Sequence, residues 1–162
     1  MKTFIATIIM LIACQYSLAQ SVNSLFENFK HEQKAEYQSV SPFMMKIARL
    51  FMNDDDAESR FIKGIKSVKV LDLEECSAKV KESFKEQVSQ LKLKGYEPLL
   101  TVKEDGETIK ILAKTDEQSI RELLLYTVSQ EECSAVLMKG KIRKEDIATI
   151  ISDNQKKNNG RK

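Results

Sequence analysis

Asp105-Gly106 lies between two runs in which apolar and polar residues alternate, Leu100 to Glu104 and Glu107 to Leu112. This dipeptide is the strongest short-range signal of a β-hairpin, because both central positions of the favoured turn need a positive φ that Asp and Gly tolerate. A two-residue turn fixes the register: Val102 faces Ile109, Leu100 faces Ile111, Lys103 faces Thr108 and Thr101 faces Lys110. One face is then apolar and the other polar, so a slip of one residue would expose the whole apolar set. The hairpin begins a longer stretch, Tyr96 to Ile142, that reads as four consecutive strands. Ile120 to Val128 holds the unbroken run Leu123-Leu124-Leu125-Tyr126, which suits an interior strand. The polar turn Ser129-Gln130-Glu131-Glu132 leads into the last strand, Cys133 to Lys139.

The segments before the hairpin supply cover for that sheet. Val22, Leu25, Phe26 and Phe29 recur at i, i+3, i+4, i+7, one apolar face of a helix over about Ser21 to Gln33 with Ser21 or Asn23 as its cap. Tyr37 to Val40 is a short strand. Ser41-Pro42 then reads as N-cap and first helical position of a helix reaching Met52. That helix is apolar almost all round, which predicts burial of most of it. Phe61 to Ile65 reads as a helical turn ended by Gly64, and Ser67 to Leu73 as a strand. A helix over Ser77 to Lys94 carries Val80, Phe84, Val88 and Leu91 on one side and is closed by Gly95. Ile142 leads into a final helix with Ile147, Ile150 and Ile151 on one face. The expected fold is α+β, a two-layer sandwich. Its mixed sheet is built on a C-terminal antiparallel four-strand meander, joined by Tyr37–Val40 and Ser67–Leu73. Pro42–Met52 and Ser77–Lys94 cover the apolar face.

The N-terminus reads as an export signal. Lys2 is followed by the apolar run Thr3 to Ala13 and by Ser17-Leu18-Ala19, with cleavage expected between Ala19 and Gln20. The apolar run is eleven residues long, too short to span a bilayer. Leu11-Ile12-Ala13-Cys14 resembles a lipobox, so lipidation at Cys14 is the alternative processing route. The expected layout is a signal peptide over 1–19, a single α+β domain over 20–152, and a disordered basic tail over 153–162. The expected location is the periplasm, with an outer-membrane lipoprotein as the alternative. Membrane contact is expected only through an anchor at Cys14. The 26 Lys and Arg residues against 24 Asp and Glu give a net charge of +2. Such a balance supplies no electrostatic reason to expect nucleic acid as a partner.

Residues with chemical potential are few. Cys76 and Cys133 remain after the signal, and a bridge between them is one reading. It would close about 56 residues, worth about 4 kcal/mol in the chain-entropy treatment. The favoured reading is two separate small buried residues, because free cysteine behaves as a small hydrophobe. His31, the one histidine, falls at the polar end of the first helix and reads as a surface residue. Asn53 to Glu58 is acidic. As a calcium loop started at Asp54 it has Ser59 where Gly is required and Ile65 where Glu is required, so it reads as a solvated loop. There is no glycine-rich phosphate loop, nucleophile elbow or zinc-ligand spacing. No cofactor or metal is expected. Glu74-Glu75 and Glu131-Glu132 are paired carboxylates of the kind acid–base hydrolysis uses, and more often such pairs are exposed charges at strand ends.

Several of these segments together resemble a known family. They are the exported start with Leu25-Phe26-Glu27 opening the first helix, Tyr37 to Val40 with Ser41 entering a Met-rich helix, and Val68-Lys69-Val70-Leu71. To these are added Tyr96-Glu97-Pro98-Leu99-Leu100 with Val102 to Gly106, and Gly140-Lys141-Ile142 leading to Glu145-Asp146-Ile147. The chain is similar, over roughly Leu25 to Ile151, to the domain-of-unknown-function 4252 family of Gram-negative exported envelope proteins. The resemblance implies an envelope protein, linked to envelope signalling through neighbouring extracytoplasmic-function sigma factors, and supplies no catalytic residues. The acidic stretch Asn53 to Glu58 departs from the family pattern. Two functions follow: a non-catalytic module binding an envelope protein or small ligand, or a small periplasmic hydrolase using the carboxylates above. If the module reading holds, affinity should reside in an exposed apolar patch.

Overall fold

The computed structural model describes residues 21–50, 57–91, 93–147 and 149. Ala19, Gln20 and Cys14, the stretch Asn53 to Asp56, Ile150, Ile151 and the basic tail lie outside the described residues. The elements, in order, are α1 (Val22–Phe29), β1 (Glu36–Val40), α2 (Pro42–Arg49), α3 (Ala57–Gly64), β2 (Ile65–Asp72), α4 (Ala78–Ser89), β3 (Tyr96–Glu104), β4 (Glu107–Thr115), β5 (Ser119–Val128) and β6 (Cys133–Arg143). Residues 144–147 turn into helix after β6. Three helices start on a serine whose hydroxyl accepts a backbone N–H three residues on: Ser21 from Ser24, Ser41 from Met44 and Ser77 from Val80.

The sheet has six strands in the order β1-β2-β6-β5-β4-β3. The meander is as the sequence predicts, and β5 lies inside it. The hairpin register also holds at all four pairs. Asp105 and Gly106 have φ of 47° and 81°, the mirror-image turn that follows the right-handed twist of a hairpin.

Two expectations are corrected. The sheet is antiparallel at every pairing, not mixed. Two helices, α2 and α3, connect β1 to β2, so the chain re-enters the sheet at the end it left, with Val40 beside Val68. The single helix α4 does set β3 parallel to β2, but β6, β5 and β4 lie between them. The second correction is to the layers. Strand side chains alternate between faces, and the core divides accordingly. On one face α1 and α4 pack over Leu71, Leu112, Leu124, Tyr126, Ala135 and Leu137. Phe29 and Phe84 meet edge to face there, with ring centroids 5.4 Å apart. On the opposite face Met45 of α2 and Phe61 and Ile62 of α3 pack over Val68, Ala113, Leu123 and Met138. Helices therefore flank the sheet on both sides, and α2 does not share a face with α4.

The seat of α3 depends on two glycines. Gly64 ends α3 against β6, and a Cβ placed on Gly140 would lie 2.1 Å from the Gly64 carbonyl oxygen. Register shifts in β2, β4 and β5 gather at this same end of the sheet, at Ile65/Ser67, Lys114/Thr115 and Ile120/Glu122. Bulges of this kind bend strands and increase their twist.

Candidate functional site

The two faces of the sheet are covered unequally. Under α1 and α4 the central side chains are sealed: Leu71 and Leu124 are fully buried. On the other face α2 and α3 cover one end only. Beyond them the pairing places Val70, Val136, Leu125, Ile111 and Leu100 side by side across five strands, in one unbroken apolar row. The first four are half-buried and Leu100 is exposed. The next row toward the hairpin adds Ile109 and Val102. Scattered exposed apolar residues are ordinary, whereas a contiguous apolar row makes this face the candidate for an interaction site.

Helix α2 packs on this face at its covered end. Of its side chains Met45 is buried, whereas Phe43 is 71% exposed and Leu50, just after it, 81%. Met44 and Ile47 are exposed as well. The expectation that this helix is mostly buried is therefore corrected. Its apolar residues exceed what one contact face can cover, and only the Met45 side meets the sheet. The Arg49 guanidinium donates to the Ile65 carbonyl and tethers the helix to β2.

The open row is bordered by negative charge at the hairpin end of the sheet. Glu104 and Glu107 pair across the hairpin, and Glu36 pairs with Asp72 at the far edge. A depression of about 720 Å³ at that end is lined by Glu74, Glu104, Asp105, Glu107, Glu131 and Glu132. None of these carboxylates makes an ion pair among the described residues. Three of the four carboxylates singled out from the sequence, Glu74, Glu131 and Glu132, thus come together, because β2 and β6 are neighbours and Asp72 lies opposite Ser134. Glu75 does not line the depression. All four are exposed.

The remaining candidates lie in the sealed half or at its border. Cys76 and Cys133 are free and buried in the core under α4. Burial pushes both thiols up, away from the thiolate that nucleophilic chemistry needs. His31 is exposed in the turn after α1. Among the described residues no group of three or more His, Cys, Asp or Glu side chains is arranged to hold a metal ion. No helix among them is long and apolar enough to cross a membrane.

Two polar networks went unread in the sequence. On the face carrying α4, the Tyr96 hydroxyl donates to Glu122 at 2.8 Å, and Lys139 lies 3.2 Å from the same carboxylate. Burial and this bond hold the tyrosine far above its usual range. Burial also pushes Glu122 up, but the hydrogen bonds from Tyr96 and Lys139 and the charges of Lys139 and Lys114 outweigh it and leave the carboxyl lowered. At the covered end of the open face, Arg143 makes a two-pronged bond to Asp146 at 2.8 Å in both contacts, and Arg60 of α3 reaches the same carboxylate at 3.3 Å. The Arg143 bonds hold Asp146 below the usual carboxylate range, against its burial and with Arg60 assisting. This ties α3 to the helical segment after β6.

Comparison with known proteins gives one match. A family model described as a domain of unknown function (DUF4252) covers residues 27–150, well over half of the chain. No curated protein and no solved structure matches the chain.

Proposed function

This chain belongs to the DUF4252 family, a domain of unknown function, and on that premise we propose that it is an exported, non-catalytic envelope module that binds a partner on its open sheet face. The observation carrying this reading is the row Val70, Val136, Leu125, Ile111 and Leu100, apolar and not sealed by α2 and α3: its first four members are half-buried, with Ile111 at the border of the second core, and Leu100 is exposed. A sheet needs only one sealed face to fold, so a second face this apolar has a use beyond the core. Export rests on Lys2, the apolar run Thr3 to Ala13 and the Ala19-Gln20 junction. The link to envelope signalling rests on the family resemblance. Intact-mass analysis of the mature protein should give a chain starting at Gln20. Acyl chains on Cys14 would instead assign it to the outer membrane as a lipoprotein.

A photo-crosslinking residue in place of Leu125, used in intact cells with mass spectrometry of the adduct, tests the binding reading. The expected result is one specific adduct that Val136→Glu abolishes. The hydrolase alternative draws on the meeting of Glu74, Glu131 and Glu132 at one depression. Turnover of a glycan or peptide that is lost in Glu131→Gln, with no adduct at Leu125, would establish that alternative and end the module reading.

A further inference from the structure

We propose that the open face takes an amphipathic helix carrying basic residues, supplied by a partner protein; this rests on the binding role proposed above. The shape of the surface selects a helix. The apolar row crosses the strands instead of running along one, so an occupant meets side chains and never the unpaired backbone of an edge. A docked strand would keep its own N–H and C=O groups unpaired against that apolar floor, whereas a helix satisfies them internally. The two sheet edges are poor alternatives. β3 carries Pro98 and a register shift between Pro98 and Leu100, both of which obstruct strand addition, and β1 is five residues long.

The dimensions agree with a helix. Val70 to Leu100 spans four strand spacings, about 19 Å at ~4.8 Å each, the length of about 13 helical residues at 1.5 Å rise.

Charge selects the occupant's sign. The flank opposite the α2–α3 end carries Glu36, Asp72, Glu104 and Glu107, with Glu131 and Glu132 beyond them, all without ion-pair partners among the described residues. An apolar helix with Lys or Arg along one side neutralises this rim. An anionic bilayer is repelled by it, which disfavours a lipid surface as the occupant. A second copy of the chain brings the same acidic rim to a face-to-face contact, which disfavours self-association.

The chain contains no tryptophan, so a single tryptophan in a probe peptide reports binding without background. The test uses the purified protein with a helical peptide of about 18 residues that has Leu on one face and Lys on the other. Its controls are the same peptide with Glu for Lys, a peptide with Ser for Leu, and phosphatidylglycerol vesicles. The expected result is saturable binding of the Leu/Lys peptide alone, at least tenfold weaker for both control peptides and weakening as salt is raised. The double substitution Leu125→Lys with Val136→Lys should reduce it at least tenfold while the unfolding midpoint stays near wild type. Equal binding of the Leu/Glu peptide, binding that survives the double substitution, or vesicle binding that depends on Leu125 overturns the inference. Absence of peptide binding together with a specific cellular adduct at Leu125 overturns the helix alone and leaves the binding role standing.

Discussion

Leu124 and Leu125 are neighbours in β5, and they stand on faces of the same sheet with opposite fates. Leu124 points into the side roofed by α1 and α4 and has no exposed surface. Leu125 points to the other side and lies beyond the reach of α2 and α3. Backbone, strand and residue type are the same; the difference is the roof. Capped helices set α1 and α4 squarely over one face. On the other side, α3 is drawn to one end of the sheet by the Gly64–Gly140 contact and by the Asp146 bonds from Arg143 and Arg60. The stability of this domain should therefore reside mostly on the roofed side, and the binding role proposed above draws on the other.

The largest expected contrast is between deletions on the two faces. Phe26→Ala removes a fully buried ring from under the roof and should cost about 3–5 kcal/mol. Leu100→Ala removes a side chain that is 45% exposed on the open face and should cost less than about 1 kcal/mol. Urea unfolding of both variants measures the gap, and equal losses would remove the contrast.

Gly140→Ala probes what draws α3 to its end. The added methyl meets the Gly64 carbonyl carbon and the Ile65 Cα as well as the carbonyl oxygen. Backbone on both sides must shift, at about 1–3 kcal/mol. Protection of α3 amides from hydrogen exchange should fall, while that of α1 and α4 stays as in the wild type.

The smallest effect concerns the bonds that hold the covered end. The Asp146 pKa is lower in the folded chain than its unfolded value of about 3.9. Its stabilisation is thus complete above that value and is lost as pH falls through the folded pKa. Asp146→Asn should cost about 1 kcal/mol at pH 7, reduced by the solvent exposure of both arginines. The difference from wild type should shrink in unfolding curves taken below about pH 4. A difference independent of pH would mean that the carboxylate charge contributes nothing there.

Local features of this fold were legible in the sequence. The hairpin register follows from Asp105-Gly106 and the alternation around it, because both partners lie within a few residues. The serine cap at Ser41 and the meander order are local in the same sense. What could not be read depends on pairing between distant segments. Nothing in Tyr37 to Val40 or Ser67 to Leu73 reveals which way they run relative to each other until α2 and α3 are known to return the chain to one end. The meeting of Glu74 with Glu131 and Glu132 likewise depends on β2 lying beside β6.

The open face was half legible. The run Leu123-Leu124-Leu125-Tyr126 has apolar residues for both faces, and the apolar excess of α2 is plain in Phe43, Met44 and Ile47. Apolar residues at every position look the same whether a second layer covers them or a partner does. Only the placement of α2 and α3 at one end separates the two.

The unequal roofing is tested most directly by introducing the same charge at the two neighbouring leucines and measuring urea unfolding of each variant. Lysine at position 125 can extend its stem along the open face and keep its ammonium in water, so Leu125→Lys should fold with a loss below about 1 kcal/mol. Leu124→Lys places that ammonium under α1 and α4 with no partner and should lose at least about 3 kcal/mol or fail to fold. Equal and severe destabilisation by the two substitutions would show that the second face is sealed too, and would contradict an open binding surface.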